Sequence, residues 1–227
     1  MTAPEKPDLI LEKALSVISH SAGAQPVVTL SWARSTTGAI AAADGVPVKL
    51  SGPESLALTH RLRAAHDAIL VGIQTVLNDD PLLSVRFTEG PQPQPVVLDS
   101  RLRFPLTARL LSRDERMPWI FYADAARQAQ DALQCKGAVL FAVSAGAGGL
   151  DLGEVLRVLR GRGISSVMVE GGARVLRAFI DQRLADQVVV TTSPLILSGL
   201  SGPDMPILRS PLREMYGSDI VLWGRVG

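Results

Sequence analysis

Apolar and polar positions along the chain follow two alternating periods. Short apolar runs rich in β-branched residues predict strands at residues 26–32, 68–72, 95–98, 119–122, 138–141, 166–169 and 187–190. Apolar residues at helical spacing predict helices at residues 8–20 and 173–184, a third that begins at the Ser51 cap and runs to about Ala65, and a fourth that follows Asp151 and ends at the cap Gly161. Because strands alternate with helices, we expect an α/β fold with a mostly parallel sheet and helices on both of its faces.

Local signals predict where several helices begin and end. Ser51 and Glu54 fit the Ser-x-x-Glu capping box, and Asp151 with Glu154 repeats its spacing. Gly161 is the expected C-terminal cap of the helix that Asp151 begins. Three segments rich in Gly and Pro are expected to be surface connections: 89–95, 144–149 and 198–206.

Length and composition bound the class of protein. The 227 residues, 47% hydrophobic, fit a single domain spanning 1–227, with residues 1–25 as an extension that contains a short helix. With 23 Lys and Arg against 22 Asp and Glu, the net charge of +1 gives no field to attract nucleic acid or a membrane. The N-terminus lacks an apolar signal region and no apolar run is long enough to span a bilayer, so we expect a cytoplasmic protein.

Ligands of open parallel sheets bind beyond the carboxyl ends of the strands. The first candidate there is Glu170-Gly171-Gly172, where a strand breaks into an acid, two glycines and a helix. Glycines let the backbone approach a ligand, and the helix start attracts phosphate. The alternative is a tight turn that carries a solvated acid.

Two further strand ends carry polar residues. Asp79 and Asp80 could bind a metal or act as an acid–base pair, but no histidine or further carboxylate follows at ligand spacing, so we expect no metal and favour a turn. Asp99 and Ser100, followed by Arg101 and Arg103, could bind a nucleotide ribose and its 2′-phosphate, or form a solvated basic loop.

Several common signatures are absent from the sequence. It contains no Gly-x-Gly-x-x-Gly after a strand, no P-loop and no Gly-x-Ser-x-Gly elbow. The single cysteine, Cys135, excludes an intramolecular disulfide and a multi-cysteine zinc site. The histidines form no metal pair, and His60 and His66 are expected to be surface or packing residues.

The sequence of residues 59–81, from Thr59 to Pro81, resembles that of the riboflavin-pathway pyrimidine reductases. These are the reductase domain of the bifunctional riboflavin deaminase-reductase and its stand-alone relatives. Three later segments resemble the same family in the same order: residues 97–103, 169–172 and 184–197. The resemblance covers roughly residues 26–226.

The resemblance implies a dihydrofolate-reductase-like three-layer α/β/α fold whose sheet has an antiparallel C-terminal strand. It also implies a homodimer and a reaction in which NADPH reduces the ribosyl group of a 5-amino- or 2,5-diamino-6-(5-phosphoribosylamino)pyrimidine to ribityl. The zinc-deaminase signature is absent, so whether the substrate is the deaminated or the diamino pyrimidine stays open.

Site residues follow from the same motifs. Those expected at NADPH are Thr75, Asp79, Ser100, Gly171, Gly172, Ala173 and Arg174. Those expected at the substrate are Arg63, Leu83, Arg86 and Glu170. Paired guanidinium groups of Arg63 and Arg86 suit the 5′-phosphate of the substrate. Glu170 is the candidate catalytic residue, and we expect it to orient the substrate without being a strong general acid.

One segment departs from the family pattern. Family members commonly have Ser-Leu-Asp-Gly-Lys/Arg after the first strand, whereas this chain has Ser35-Thr36-Thr37-Gly38-Ala39 and, further on, Pro47-Val48-Lys49. The acid and the basic residue are both lost at the mouth of the expected site. Two alternatives therefore stay open: an NADPH-dependent reductase of a pterin or folate-like substrate, and a non-catalytic nucleotide-binding protein.

Overall fold

A nine-stranded sheet contains strands from nearly the whole length of the chain. The structure is a computed structural model that describes residues 8–19, 23–43, 48–113, 116–146 and 148–227. The strands of this sheet are β1 (Val27–Arg34), β3 (Ala68–Gly72), β4 (Gln94–Leu98), β5 (Trp119–Tyr122), β6 (Val139–Ala142), β9 (Ser166–Val169), β10 (Gln187–Thr192), β12 (Leu208–Tyr216) and β13 (Asp219–Val226). Two small sheets add β2 (Ala39–Ala42) with β11 (Gly199–Ser201), and β7 (Ala145–Gly146) with β8 (Gly149–Leu150).

The helices pack between and beside these strands. They are α1 (Leu9–Ser19), α2 (Pro53–Ala65), α3 (Ile73–Asp79), α4 (Arg127–Cys135), α5 (Leu152–Gly161) and α6 (Ala173–Asp181), with a 3₁₀ turn at Arg109–Ser112. None of the helices described is both long enough and apolar enough to cross a bilayer. The predicted helix at 8–20 is α1, and His20 lies outside the described residues.

The order of strands in the large sheet is β12-β13-β10-β1-β9-β3-β4-β5-β6. From β10 to β6 each neighbouring pair is parallel, whereas β13 pairs antiparallel with β10 and β12 pairs antiparallel with β13. The expected mostly parallel sheet with an antiparallel C-terminal strand is confirmed, and a second antiparallel strand extends it.

Alternation of side chains along the buried strands creates two cores, one on each face of the sheet. On β3, Ile69 and Val71 join a cluster that contains residues of α1 to α4, while Ala68 and Leu70 join a cluster formed with α5 and α6. Every residue of β3 is buried, as expected for a parallel strand covered on both sides. The three-layer arrangement predicted from the sequence is therefore confirmed.

The predicted capping box at Ser51 is wrong. Helix α2 begins with Gly52 as its N-cap, which makes no side-chain capping bond, and Pro53 follows. Asp219 supplies the missing acceptor, because its Oδ2 accepts the Gly52 N–H at 2.7 Å and the Ser55 hydroxyl at 2.5 Å. A carboxylate from β13 thus binds both the N-cap residue and a side chain of the first turn.

The other helix signals differ in their accuracy. Asp151 caps α5 as predicted, since its Oδ1 accepts the Glu154 N–H at 2.9 Å. The prediction that Gly161 caps the end of α5 is wrong, because Gly161 is still helical and the left-handed residue is Gly163, with φ of +86°. Helix α6 ends at Asp181, three residues before the predicted 184.

Two of the predicted surface connections contain strands. The segment 198–206 includes β11, which pairs with β2, and the segment 144–149 includes the small β7–β8 pair. Both pairings join very short segments, and β2 and β11 are far apart in sequence. A periodicity pattern cannot detect strands of this length.

A chain of hydrogen bonds crosses the core beneath the sheet's centre. His66 Nδ1 lies 2.6 Å from the Leu62 carbonyl, and its Nε2 lies 2.8 Å from the Thr29 hydroxyl. Gln187 donates to the same hydroxyl at 2.8 Å and accepts from Trp223 Nε1 at 2.8 Å. Each buried ring nitrogen of His66 therefore has an uncharged partner, which is what a buried polar group requires.

Candidate active site

The polar residues predicted from the sequence lie along one edge of the sheet. Strands β1, β9, β3 and β4 are neighbours, and their carboxyl ends are followed by Ser35, Glu170, α3 and Ser100 respectively. The Glu170 N–H still donates to the Leu70 carbonyl at 2.9 Å, so Glu170 lies directly at the end of the sheet. This edge is where parallel sheets bind ligands.

Glu170 and Arg63 form a bidentate ion pair. Arg63 Nε donates to Glu170 Oε1 at 2.7 Å and its Nη2 donates to Oε2 at 2.6 Å, while the two side chains are only 13% and 15% exposed. Burial works to lower the pKa of Arg63, but the charge and hydrogen bonds of Glu170 outweigh it and leave that pKa raised. The pair joins α2 to the end of β9.

The ion pair limits the number of hydrogen bonds that Arg63 can donate to a ligand. Its Nη1 donates to the Ser84 carbonyl at 3.1 Å, so three of the five N–H groups of the guanidinium are already used. One N–H on each terminal nitrogen is left. The expectation that Arg63 and Arg86 share a phosphate stays a prediction, and Arg63 would contribute at most those two donors.

The loop after α3 carries Arg86. Asp80 and Leu83 both adopt positive φ, at 39° and 49°, which gives the loop its sharp course. Arg113 donates to the Leu82 and Leu83 carbonyls at 3.2 and 3.3 Å. The Gln92 side chain accepts from the Val85 N–H at 2.8 Å and donates to the Val85 carbonyl at 3.0 Å.

Leu83, predicted at the substrate, has a buried side chain. Its side chain is only 3% exposed and belongs to the core cluster beside α2 and α3. The side chain therefore packs against other apolar residues and does not line the site. Only the Leu83 backbone remains available to a ligand.

Positive charge accumulates around this loop. The exposed Arg86 guanidinium donates only a long hydrogen bond, 3.4 Å, to the Ser84 hydroxyl. Burial lowers the pKa of Arg86, the nearby Arg63 and Arg109 lower it further, and Glu170 opposes them. Among the described residues neither Arg86 nor Arg109 forms a salt bridge. Such uncompensated guanidinium groups favour an anionic ligand.

The Gly-Gly turn brings backbone close to helix α6. A Cβ on Gly171 would lie 2.7 Å from the Val175 Cβ, and a Cβ on Gly72 would lie 2.7 Å from a Val175 methyl. Close packing of the two strand ends on α6 thus requires glycine at both positions. Gly172 is the N-cap of α6, and a Cβ built there would lie 3.9 Å from the Thr75 hydroxyl. Thr75 and the helix start therefore face the same space.

The remaining predicted cofactor residues surround that turn less closely. Asp79 is exposed as the last residue of α3, and partial burial raises its pKa. Ser100 follows β4, and its carbonyl accepts the N–H groups of Ala123 and Asp124 at 3.2 and 3.0 Å. Arg174 is exposed and donates to the Gly148 carbonyl at 2.8 Å. Their contacts with a cofactor stay predictions.

Asp99 does not fit the ribose-binding interpretation. It is fully buried, and burial raises the pKa of its carboxyl group, opposed by the backbone N–H groups and charge of the following turn. Arg101 and Arg103, by contrast, are exposed. Asp99 therefore lies under the turn of residues 100–104, where it cannot reach a ribose.

His60 is the site residue that sequence reasoning missed. Its ring is buried, and its Nδ1 accepts the Arg86 N–H at 3.1 Å. The exposed Phe87 ring packs edge-on against it at 4.7 Å between centroids. His60 precedes Arg63 by three residues on α2, so the two side chains project to one side of the helix. That spacing was the available signal.

The departing segment 35–39 follows β1 and binds the loop that follows β10. The Ser35 hydroxyl lies 2.7 Å from the Thr37 hydroxyl, which donates to the Leu197 carbonyl at 2.5 Å. Thr36 also binds the Leu195 carbonyl, through its N–H at 3.0 Å and its hydroxyl at 2.9 Å. Threonine hydroxyls thus satisfy this loop internally, and Ala39 is buried. Lys49 of the second departing stretch is exposed.

Two other observations concern possible metal ligands and a cleft outside the predicted site. Within the described parts of the chain, no group of three or more His, Cys, Asp or Glu side chains could hold a metal ion. A cleft of about 760 Å³ lies at the opposite end of the sheet between α1 and the start of β10. Its lining includes Ser16, Pro26, Arg183, Asp186 and Arg225, none of which belongs to the predicted site.

Known proteins similar to this chain are reductases of one pathway. The family model described as the RibD C-terminal domain matches residues 26–210. Riboflavin biosynthesis protein RibD of Aquifex aeolicus is 34% identical over 210 residues, which are 88% of this chain and 57% of that protein. The 2,5-diamino-6-ribosylamino-4(3H)-pyrimidinone 5′-phosphate reductase of Archaeoglobus fulgidus is 35% identical over 189 residues, 79% of this chain and 85% of the relative.

Solved structures agree with these relatives. Acinetobacter baumannii RibD superposes with a TM-score of 0.76 at 27% identity and covers 90% of this chain, which matches 59% of that protein. Dihydrofolate reductase from Enterococcus faecalis shares the fold alone, with a TM-score of 0.50 at 15% identity over 88% of this chain and 97% of the enzyme. The chain thus spans somewhat over half the length of the RibD proteins it matches. On the family match over residues 26–210, this chain belongs to the RibD C-terminal domain family.

Proposed function

We propose that this protein reduces the ribosyl group of a 5-amino- or 2,5-diamino-6-(5-phosphoribosylamino)pyrimidine to ribityl in riboflavin biosynthesis, with NADPH as reductant. The observation that carries the proposal is the Arg63–Glu170 ion pair at the carboxyl edge of the sheet, next to the unpaired charge of Arg86. An acceptor and an anion-binding group beside each other suit a polar, phosphorylated substrate. The names of the relatives point to the same substrate class.

The residues around the Gly-Gly turn fit a dinucleotide. The first N–H groups of a helix have no partner within it, so the N-terminus of α6, at Gly172, Ala173 and Arg174, offers donors to a phosphate. Thr75 faces the same space, Ser100 lies just after the end of β4, and Asp79 is the last residue of α3. NADPH, when bound there, would supply the hydride.

The substrate would lie between that turn and the loop of Arg86. Arg86, the two free N–H groups of Arg63 and the Leu83 backbone are the candidates for binding its phosphate. Glu170 keeps acceptor capacity beyond its bonds to Arg63, since a carboxylate accepts several hydrogen bonds. We assign Glu170 to orienting the ribosylamine chain.

Hydride transfer to the substrate needs no strong general acid from the protein. A ring-opened ribosylamine is an imine, and its protonated C=N group becomes a neutral amine when C1′ accepts a hydride. The chain's task is then to fix C1′ in place and to exclude water. Both oxygens of Glu170 already accept from Arg63, so this side chain acts as an acceptor and not as a proton donor.

The assembly and the compartment are part of the proposal. We propose a homodimer, as the resemblance implies, and the cytoplasm as the place where a reductase would meet NADPH and its phosphorylated substrate. Neither nucleic acid nor a membrane is a proposed partner, because the net charge of +1 provides no attraction to either.

One observation favours a different substrate as the second candidate. The loop 35–39 replaces an acid and a basic residue with threonine and a buried alanine, at the mouth of the site. A pterin or folate-like substrate without a phosphate would need less charge there. Turnover of such a substrate, with none of a phosphoribosylaminopyrimidine, would support this second candidate.

The test is NADPH oxidation with the two phosphoribosylaminopyrimidines, a dihydropterin and dihydrofolate in parallel. We expect turnover of at least one phosphoribosylaminopyrimidine and formation of the ribityl product by mass spectrometry. Binding of NADPH without oxidation in the presence of any of these compounds would instead indicate a non-catalytic nucleotide-binding protein.

The variant Glu170→Gln tests the assigned role of Glu170. Because the amide keeps one acceptor but loses the charge opposite Arg63, we expect weaker substrate binding and turnover lower by about tenfold. Abolished turnover with unchanged substrate affinity would mean that Glu170 transfers a proton, contrary to the assignment.

A further inference from the structure

His60 is a buried histidine that the proposed reaction does not use. Its side chain has no exposed surface, and its Nδ1 accepts the backbone N–H of Arg86 at 3.1 Å. Its Nε2 is buried and has no hydrogen-bond partner among the described residues. A buried polar atom without a partner is costly, so the position of this ring calls for a reason.

The hydrogen bond fixes the protonation state of the ring. A nitrogen that accepts needs its lone pair, so Nδ1 carries no proton and the neutral ring has its hydrogen on Nε2. The surroundings favour the same state: burial, followed by the charges of Arg63 and Arg86, lowers the pKa of His60 to about 4, with Glu170 opposing.

Arg86 depends on its backbone for its position. Its guanidinium is exposed and has two weak contacts, a 3.4 Å hydrogen bond to the Ser84 hydroxyl and a 5.8 Å approach to the Phe87 ring, which do not fix it. The main chain is held on one side by Gln92, through Val85, and on the other by His60. Two residues of helix α2 connect to this main chain: Arg63 at the Ser84 carbonyl, at 3.1 Å, and His60 at Arg86 itself.

We propose that His60 is a positioning residue that fixes Arg86 for binding the phosphate of the substrate. Helix α2 then places both arginines: Arg63 directly, and Arg86 through the His60 ring. The inference rests on the proposed function, because it takes Arg86 to be the phosphate-binding residue.

Two substitutions separate the hydrogen bond from mere filling of space. His60→Asn keeps an acceptor, Oδ1, near the place of Nδ1, whereas His60→Leu keeps a similar volume without any acceptor. The ligands are ribose 5-phosphate and, as the matched control, ribose, measured by calorimetry. His66→Leu serves as the matched variant, because it alters the other buried histidine of the α2 region, whose hydrogen bonds go to Leu62 and Thr29 and to no predicted site residue.

We expect His60→Leu to weaken ribose 5-phosphate binding about tenfold, while His60→Asn stays within about threefold of the unaltered protein. NADPH affinity should not change in either variant. His66→Leu should leave ribose 5-phosphate binding unchanged. In kinetics, the loss should appear in KM for the phosphorylated substrate and not in kcat.

Several outcomes would overturn the proposal. They are unchanged binding in His60→Leu, an equal loss in His60→Asn, and an unaltered protein that binds ribose 5-phosphate no better than ribose. If the unaltered protein binds ribose 5-phosphate but reduces no pyrimidine, the proposed function fails while the binding series still decides the role of His60.

A measurement on the unaltered protein covers the case in which His60→Leu does not fold. In ¹⁵N-histidine spectra at neutral pH, Nδ1 of His60 should be the unprotonated nitrogen and should shift when ribose 5-phosphate is added. A proton on Nδ1, or no shift, would contradict the proposal.

Discussion

The two buried histidines near the end of α2 lie in opposite kinds of surroundings. His66 has an uncharged partner at each ring nitrogen, in a chain that continues to Thr29 and Gln187. His60 has a partner at Nδ1 only and lies beside Arg63 and Arg86. Burial lowers the pKa of both residues to about 4.

The difference shows that the same type of residue can serve stability at one position and ligand binding at another. Around His66 every donor meets an acceptor inside the protein, so nothing is left to offer a ligand. Around His60 two guanidinium groups face one carboxylate, and an anion from outside would complete the charge balance. The same low pKa therefore accompanies two different uses, and the partners distinguish them.

The largest effect should come from the ion pair beside His60. Arg63→Met would leave the Glu170 charge buried and unpaired, which should lower the free energy of unfolding by about 3–5 kcal/mol. The matched control is Arg61→Met on the same helix, whose pair with Asp8 is partly exposed, at 37% and 16%, and should cost at most about 1 kcal/mol. Urea unfolding of both variants measures the difference; equal losses would show that the Arg63–Glu170 pair behaves as a surface pair.

The His66 network should come next. His66→Leu leaves the Leu62 carbonyl and the Thr29 hydroxyl without their ring partners, and should lower the free energy of unfolding by about 2–3 kcal/mol. Substrate and NADPH affinities should stay unchanged, because the network does not reach the site. A fall in ribose 5-phosphate affinity as large as that of His60→Leu would erase the distinction between the two histidines.

The pH dependence of the free energy of unfolding should show that both histidine rings stay neutral in the folded protein. Between pH 6.5 and about 4 the unfolded chain protonates these histidines while the folded protein keeps them neutral, so the folded state binds fewer protons and stability falls as pH falls. A fully buried histidine contributes a slope of up to about 1.4 kcal/mol per pH unit.

Buried carboxyl groups also contribute to the curve of stability against pH. Burial raises the pKa of Asp99 and of Asp186, so these groups contribute in the opposite direction. The informative quantity is therefore the difference between variants: the stability curves of His66→Leu and His60→Asn should each be shallower than that of the unaltered protein across this window. Parallel curves would mean that the rings do protonate in the folded state.

Local patterns predicted the frame of the site accurately. Strand β3 has the bounds that the apolar run at 68–72 indicated, and the strand β9 matches 166–169. These elements depend on periodicity within a few residues, which a sequence displays directly. The family resemblance then identified Glu170 and Arg63 as neighbours of the same site.

Contacts between distant residues could not be predicted in the same way. Asp219 accepts the N–H of Gly52 at the start of α2, Arg63 donates to Glu170, and the Arg86 N–H donates to His60. Each partner is set by how strands and loops come together in space, and a spacing rule within one helix contains no such information. The Arg63–Glu170 ion pair could not be predicted for that reason.

The smallest expected effect is at the ring that covers His60. Phe87 packs edge-on against His60 at 4.7 Å and 84° although 57% of its surface is exposed. Phe87→Leu removes this aromatic contact and should lower the free energy of unfolding by about 0.5 kcal/mol. In the background of His60→Asn, which has no aromatic ring, the same substitution should cost less, because the two residues are in contact and their effects are not additive. Equal costs in both backgrounds, measured by urea unfolding, would show that Phe87 stabilises the loop independently of His60.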